Sequence, residues 1–253
     1  MTDYHFLNTI YQKEVIKMRV IKSFKVRLLP NNKQETKFFQ FAGASRFAYN
    51  WALEKEMANF REGRKFQSNY ELRKEFTLLR NSDEFSWLQT ISNNVIKQAI
   101  KDLHRAFTRF FLKQKRSDYV NYSKKKIEHF ARIGKKLTVY DMNGHPKFRS
   151  KRNGDFRFYQ DNVKIQFTDT HVKFENIAES KRKKRQKLNW IRLVEKGKIP
   201  INAKYTNPRI SFDGEYWWLA IGVVRAIKPI HGLTFVRKQT RHRSEGIGID
   251  LGI

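Results

Sequence analysis

Cysteine is absent from the 253 residues. That excludes a disulfide framework and a cysteine zinc site, and it permits a reducing compartment without requiring one. Acids are scarce: 24 Asp and Glu stand against 53 Lys and Arg, a formal charge of +29. An excess of that size destabilises a compact state unless a polyanion neutralises it. No run of about 18 apolar residues occurs, and the opening residues lack the charged, apolar, small order of a secretory leader. No membrane partner is therefore expected, and nucleic acid is the expected polyanion. No internal repeat is found. What is present suits a core: 40% of residues are hydrophobic, with 21 Phe, 10 Tyr and 5 Trp, which argues against wholesale disorder.

Residues 1–17 carry no clear pattern and read as an extension, with Met18 and "RVIKSFKVRLLP" the more natural beginning. Phe24, Val26 and Leu28 then alternate with Ser23, Lys25 and Arg27 up to Pro30, the signature of a half-buried strand with one cationic face. After "PNN" the period becomes helical. Phe38, Phe41, Ala42, Ser45, Ala48, Tyr49, Ala52, Leu53, Met57 and Phe60 recur at spacings of three and four until Gly63. A second helix is predicted around Tyr70 to Leu79. The third begins after Ser92, a suitable N-cap, with an apolar stripe from Val95 to Phe111. Lys97, Lys101, Arg105, Arg109 and Lys113 recur every four residues on its other side, a row that winds slowly because four residues slightly exceed one turn. In an ordinary chain such a row is a solvated face. Here almost no acids are interleaved, and the row reads as a phosphate-binding surface.

From about Lys147 the period returns to two. Phe156 and Phe158, then Val163, Ile165 and Phe167, then Val172 and Phe174 predict short strands separated by "QDN" and "TDT" turns. The basic run 180–187, with Lys181, Arg182, Lys183, Lys184 and Arg185, suits either a solvated loop or an arm contacting phosphates. Strand character resumes from Trp190 to Val194. "RISFDGEYWWLAIGVV" predicts a hairpin whose Asp213-Gly214 suits a type I′ turn. Of Trp217 and Trp218, one is expected to pack inward and the other to cover a sheet face, a reading favoured over base stacking. The chain thus divides into an N-terminal extension 1–17, a first strand 18–30, a helical insertion 31–130, a return to β over 131–226, a linker 227–244 and a last strand 245–253. The fold class is α+β, with short strands of the kind that close into a small barrel.

Together "FKVRLLPNNKQ", "ASRFAYNWAL", "FSWLQTISNNVIKQAIKDLHRAFTRFF", the hairpin with "YWWLAIGV" and the closing "GIGIDLG" resemble the TnpB/OrfB family, transposon-encoded proteins related to type V CRISPR effectors. The resemblance runs over nearly all of the chain after Met18. It implies a split wedge-like β-barrel of the oligonucleotide-binding type, an inserted helical recognition lobe, also called helix-turn-helix, and the start of a RuvC/ribonuclease-H-like nuclease domain. The implied activity is RNA-guided DNA cleavage in transposition. The implied partners are a guide RNA derived from the transposon end and a double-stranded DNA target, in prokaryotic cytoplasm at the nucleoid. In such proteins residues from the helical lobe and the barrel recognise a short motif beside the target. Asn69, Arg73, Asn93 and Lys97 are candidates because amides and cations can reach base edges, with a capping contact the competing role for Asn93.

In "EGIGIDLGI", Ile247, Ile249, Leu251 and Ile253 alternate with Gly246, Gly248, Asp250 and Gly252. By resemblance, Asp250 is the first of three metal-binding acids of the nuclease. Actin-like ATPases carry a similar strand, but near the N-terminus and with hydroxyl residues after it. Cutting a phosphodiester between two Mg2+ ions about 4 Å apart takes several carboxylates. Only Asp250 is in place. The expectation is a fragment or natural truncation that binds nucleic acid, holds no functional metal by itself and does not cleave. The alternatives are a cleavage-deficient guided binder or a DNA-binding transposase accessory.

Overall fold

The computed structural model describes residues 19–178 and 186–226. The extension 1–17, Lys181 to Arg185, the linker 227–244 and the strand with Asp250 lie outside the described residues.

Alternation in β1 (Arg19–Leu29) buries Val26 and Leu28 and leaves Lys25 exposed and Arg27 half-buried. The helix α1 (Asn32–Arg61) starts at a capping box: Gln34 N–H donates to Asn31 Oδ1 at 3.0 Å, and Asn31 N–H to Gln34 Oε1 at 2.9 Å. The Gln34 amide reaches further, donating to the carbonyls of Leu188 and Trp190 at 3.0 and 2.9 Å. One side chain therefore starts the helix and ties it to the sheet. Its buried stripe includes Ala42, Ala44, Ala48 and Ala52, small enough for α3 (Asn93–Gln114) to lie close alongside. Between them come α2 (Asn69–Arg80) and a 3-10 segment (Asp83–Thr90), and after α3 comes α4 (Lys124–Arg132).

The strands β2 (Arg157–Tyr159), β3 (Gln166–Phe167), β4 (His171–Lys173), β5 (Trp190–Leu193), β6 (Lys204–Phe212) and β7 (Trp217–Ala226) join β1 in one sheet of order β2-β6-β7-β1-β5-β4-β3. β1 is central, so the helices enter the chain between two strands of the same sheet. The sheet curls around the start of α1. The Phe38 ring lies 5.5 Å from Phe158 in β2, 5.1 Å from Trp217 in β7 and 5.9 Å from Phe174 just after β4. Gln160 Oε1 accepts the Glu175 N–H, joining segments from opposite ends of the strand order. The architecture is mixed helix and antiparallel sheet.

Two local expectations are corrected. Val163 is not in a strand but 82% exposed, because Asp161 turns the chain: its Oδ1 accepts the Val163 N–H and its carbonyl the Ile165 N–H. The hairpin ladder closes at Phe212 and Trp217, leaving a four-residue loop in place of a type I′ pair. Asp213 Oδ1 accepts the Glu215 and Tyr216 amides at 3.0 and 2.8 Å and Oδ2 the Trp218 indole N–H at 2.6 Å. Those donors hold its carboxyl at about 2, and Gly214 alone in the loop takes a positive φ, +110°.

At Gly222 in β7 a Cβ would lie 2.7 Å from Thr206 Cγ2 and 2.8 Å from Ile21 Cγ2. Both contacts are β-branched methyls with little freedom to yield. Gly222→Ala is expected to lower stability by about 1–3 kcal/mol. Adding Thr206→Ser, which deletes one of the two methyls, should recover part of the loss in denaturant melts; no recovery would place the strain elsewhere.

Candidate nucleic-acid interface

The third helix carries a single acid, Asp102, and that acid is already engaged. Arg209 of β6 donates to its two oxygens at 2.5 and 2.8 Å, and Gln98 adds a bond at 2.8 Å. Burial alone would raise the Asp102 carboxyl, but the Arg209 hydrogen bonds and charge hold it below the usual carboxylate range. The N-terminus of α3 is docked as well. Ser92 and Asn94 both donate to Glu175, which also pairs with Lys164 at 2.9 Å. The helix is thereby held at its start by the segment after β4 and at its middle by β6, with no acid left to balance its outer side.

On that outer side Lys97, Lys101, Arg105, Arg109 and Lys113 are all exposed, and none of the five side chains makes a hydrogen bond or ion pair among the described residues. At 1.5 Å per residue they span about 24 Å, each step drifting roughly 40° around the axis. Five unpaired cations on a rigid rod form a surface that tracks a phosphate backbone and reads no bases.

The four base-reading candidates do not form one cluster. Asn69 and Arg73 sit in the first turns of α2, Arg73 Nη1 meeting Asn69 Oδ1 at 3.5 Å. Asn93 lies at the other end, where Arg80 at the close of α2 donates to its Oδ1. Arg80 also bonds the carbonyls of Leu88, Gln89 and Ile91, so it clamps the 3-10 segment onto the start of α3. The capping residue there is Ser92, and Asn93 is the first helical residue. Asn69 opens α2, and Asn93 is bonded by the residue that closes it, Arg80; a helix of that length runs about 18 Å at 1.5 Å per residue.

A second basic surface covers the outward face of the sheet, where Lys25, Arg27, Arg192 and Lys173 alternate with buried residues. Lys25 Nζ lies 4.4 Å over the Trp218 ring, Arg27 Cζ 3.6 Å over Tyr216 and Lys173 Nζ 5.8 Å over Trp190. The rings are covered by cations, so this face offers charge and no free stacking platform. Trp217 is buried and Trp218 half-buried, the inward and covering roles expected of them. The cationic alternation of β1 was the sequence signal for this face; that β4, β5 and β7 would line up beside it depended on strand order.

The loop into α2 hangs on a buried acid. Glu56 accepts the Gln67 N–H at 3.1 Å, and Gln67 in turn donates to Glu75 at 2.5 Å, which pairs with Lys55. Burial, followed by smaller repulsion from Glu75 and Glu71, pushes the Glu56 carboxyl up to about 7 against hydrogen bonds that lower it. A folded-state value above the unfolded 4.5 means the contribution is full below pH 4.5 and lost as pH rises toward 7. Glu56→Gln is therefore expected to gain stability relative to the parent between pH 5 and 8, on the order of 1–3 kcal/mol at pH 8. Parallel stability curves for the two proteins across that range would contradict this.

Among the described residues no group of three or more His, Asp or Glu is placed to hold a metal ion, and no helix is long and apolar enough to cross a membrane. Nothing in them fits the ion pair implied for the nuclease.

A family model for a helix-turn-helix domain of the OrfB/IS605 type matches residues 18–65, which hold β1, α1 and the turn at Gly63. The chain is 32% identical over 108 residues to "Putative RNA-guided DNA endonuclease InsQ" of Escherichia coli (strain K12) and 29% identical over 108 residues to a "Putative RNA-guided DNA endonuclease" of Streptomyces pristinaespiralis. Each alignment covers 43% of this chain and 26% of the relative, so the chain matches about a quarter of the length of these relatives.

Proposed function

We propose that this chain, which carries the N-terminal helix-turn-helix region of TnpB/OrfB-type insertion-sequence proteins, is the nucleic-acid-binding part of an RNA-guided DNA endonuclease of that kind. It holds a guide RNA and a double-stranded DNA target. The observation that carries the reading is the unpaired cation row on α3, whose one acid is locked to Arg209. The curled sheet serves as the wedge-like barrel, with the helices of residues 31–130 as the inserted recognition lobe. Asn69, Arg73 and Asn93 remain proposed base-edge contacts, and Lys181 to Arg185 a proposed phosphate arm. Cleavage belongs to the acids of the nuclease domain, of which Asp250 is the one proposed in these residues. The whole assembly is proposed to act in the cytoplasm.

The test is binding of the purified chain to a structured RNA as salt is varied. The expected log–log slope is steep, about −4 or beyond, since each phosphate contact contributes about −0.7 to −0.9. An affinity nearly independent of salt would remove the reading.

A further inference from the structure

We infer that the cavity between the C-terminal ends of α1 and α3 takes up an unpaired nucleobase of a strand held on the neighbouring cations. The inference rests on the nucleic-acid-binding reading and names what enters one site. The cavity holds about 320 Å³, at the lower end of the range for small-molecule pockets. Phe60, Phe66, Phe107, Phe111, Tyr140 and His145 wall it. Three of these rings are open to solvent, Phe60 at 59%, Phe111 at 41% and Phe66 at 38%. Aromatic faces left in water beside a cavity are a stacking surface for any base, because every base has a π face.

Three further observations select a base over a purely apolar occupant. First, the walls hold polar groups suited to a base edge. His145 Nδ1 lies 2.8 Å from the Pro146 carbonyl, which requires the proton on Nδ1 and leaves Nε2 as an acceptor; burial keeps the ring neutral by lowering its pKa. Glu56 and Asn59 line the same space. Second, the surroundings are cationic. Lys126 and Lys147 donate to the carbonyls of Asp141 and Tyr140 along one wall. Arg64 stands at the cavity in an exposed pair with Glu62, an interaction weak enough to exchange for a phosphate. Third, the cavity adjoins the proposed backbone track. Lys113, the last cation of the α3 row, runs beside the 139–145 segment, its Cδ 3.8 Å from where a Cβ on Gly144 would lie. A backbone following the row arrives at the aromatic wall, and a base with no partner gains by turning in.

The test uses the whole chain and hairpins of one sequence, in RNA and in DNA, with 2-aminopurine placed in turn at each unpaired position. Binding is read by anisotropy and base burial by fluorescence. At saturation one unpaired position is expected to be quenched severalfold in at least one of the two arms, and the arm identifies the strand. Val139→Trp, which fills the cavity from its wall, is expected to abolish that quench while affinity changes less than tenfold and the salt slope stays the same. In the unaltered protein, 4-thiouracil at the quenched position should crosslink to peptides within 60–66, 107–114 or 139–145. A quench that survives Val139→Trp, crosslinks confined to other peptides, or tight binding with no quenched position would overturn the inference and leave the binding reading standing. Failure of both hairpins to bind in a salt-dependent way would take both down together.

Discussion

Replacing Lys97, Lys101, Arg105, Arg109 and Lys113 together with glutamate is expected to weaken binding to structured RNA by about a thousandfold or more in 0.1 M salt and to flatten the log–log salt slope by about 4. The size follows from counterion release. Each phosphate contact on a nucleic acid liberates most of one condensed cation, so five lost contacts remove a large part of the driving force at low salt. Fold stability should change little, since the five side chains are exposed and bond to nothing among the described residues. The control is reversal of Lys33, Lys74, Lys151, Lys196 and Lys204, also exposed but scattered over other surfaces, which lowers net charge by the same amount. If position decides, this second protein keeps most of its slope. If net charge alone decides, the two variants will fall together.

The second large effect concerns the junction of helix and sheet. Phe38→Ala should lower stability by about 3–5 kcal/mol, or roughly 10 °C in melting temperature for a unit of this size. Phe38 is fully buried and touches rings from strands that lie far apart in the sheet order. Its loss leaves a cavity that no single strand can close by shifting, and Trp217, hydrogen-bonded to Glu35 at 3.0 Å, is held in place beside it. A change below 1 kcal/mol in denaturant titrations would mean that the sheet does not close around α1 as the structure has it.

The long elements were legible because their periods are unbroken. The α1 stripe from Phe38 to Phe60, the Ser92 start of α3 and the alternation of Phe24, Val26 and Leu28 all correspond to observed elements. Short elements were less so. Val163 looked like a strand residue because its neighbours Ile165 and Phe167 are apolar at spacing two, yet one aspartate side chain was enough to turn the chain there. Asp213-Gly214 matched a two-residue turn by composition, but its carboxylate captured two amides and widened the loop. α4 was not read because it is only nine residues long: Ile127, Phe130 and Ala131 do fall at helical spacing, but one such set is too short to stand out, and none of its residues is buried.

For the interface, the α3 row was visible as a spacing. What could not be read from it is that Asp102 is taken out of play by Arg209, 107 positions away in the chain. The same holds for the aromatic cavity. Its rings come from α1, the following loop, α3 and the 139–145 segment, and no local pattern says that Phe66 and Phe107 meet, with centroids 5.1 Å apart. The resemblance also grouped Asn69, Arg73, Asn93 and Lys97, whereas Asn69 and Arg73 open α2 and Asn93 and Lys97 open α3.

The central claim, that the outer side of α3 lies against nucleic acid, is tested most directly by lysine footprinting of the whole chain with and without saturating structured RNA. Acetylation of Lys97, Lys101 and Lys113 is expected to slow at least severalfold in the complex, while Lys33 and Lys196 react as before. Unchanged reactivity at the three α3 lysines in a protein shown by anisotropy to be fully bound would contradict it.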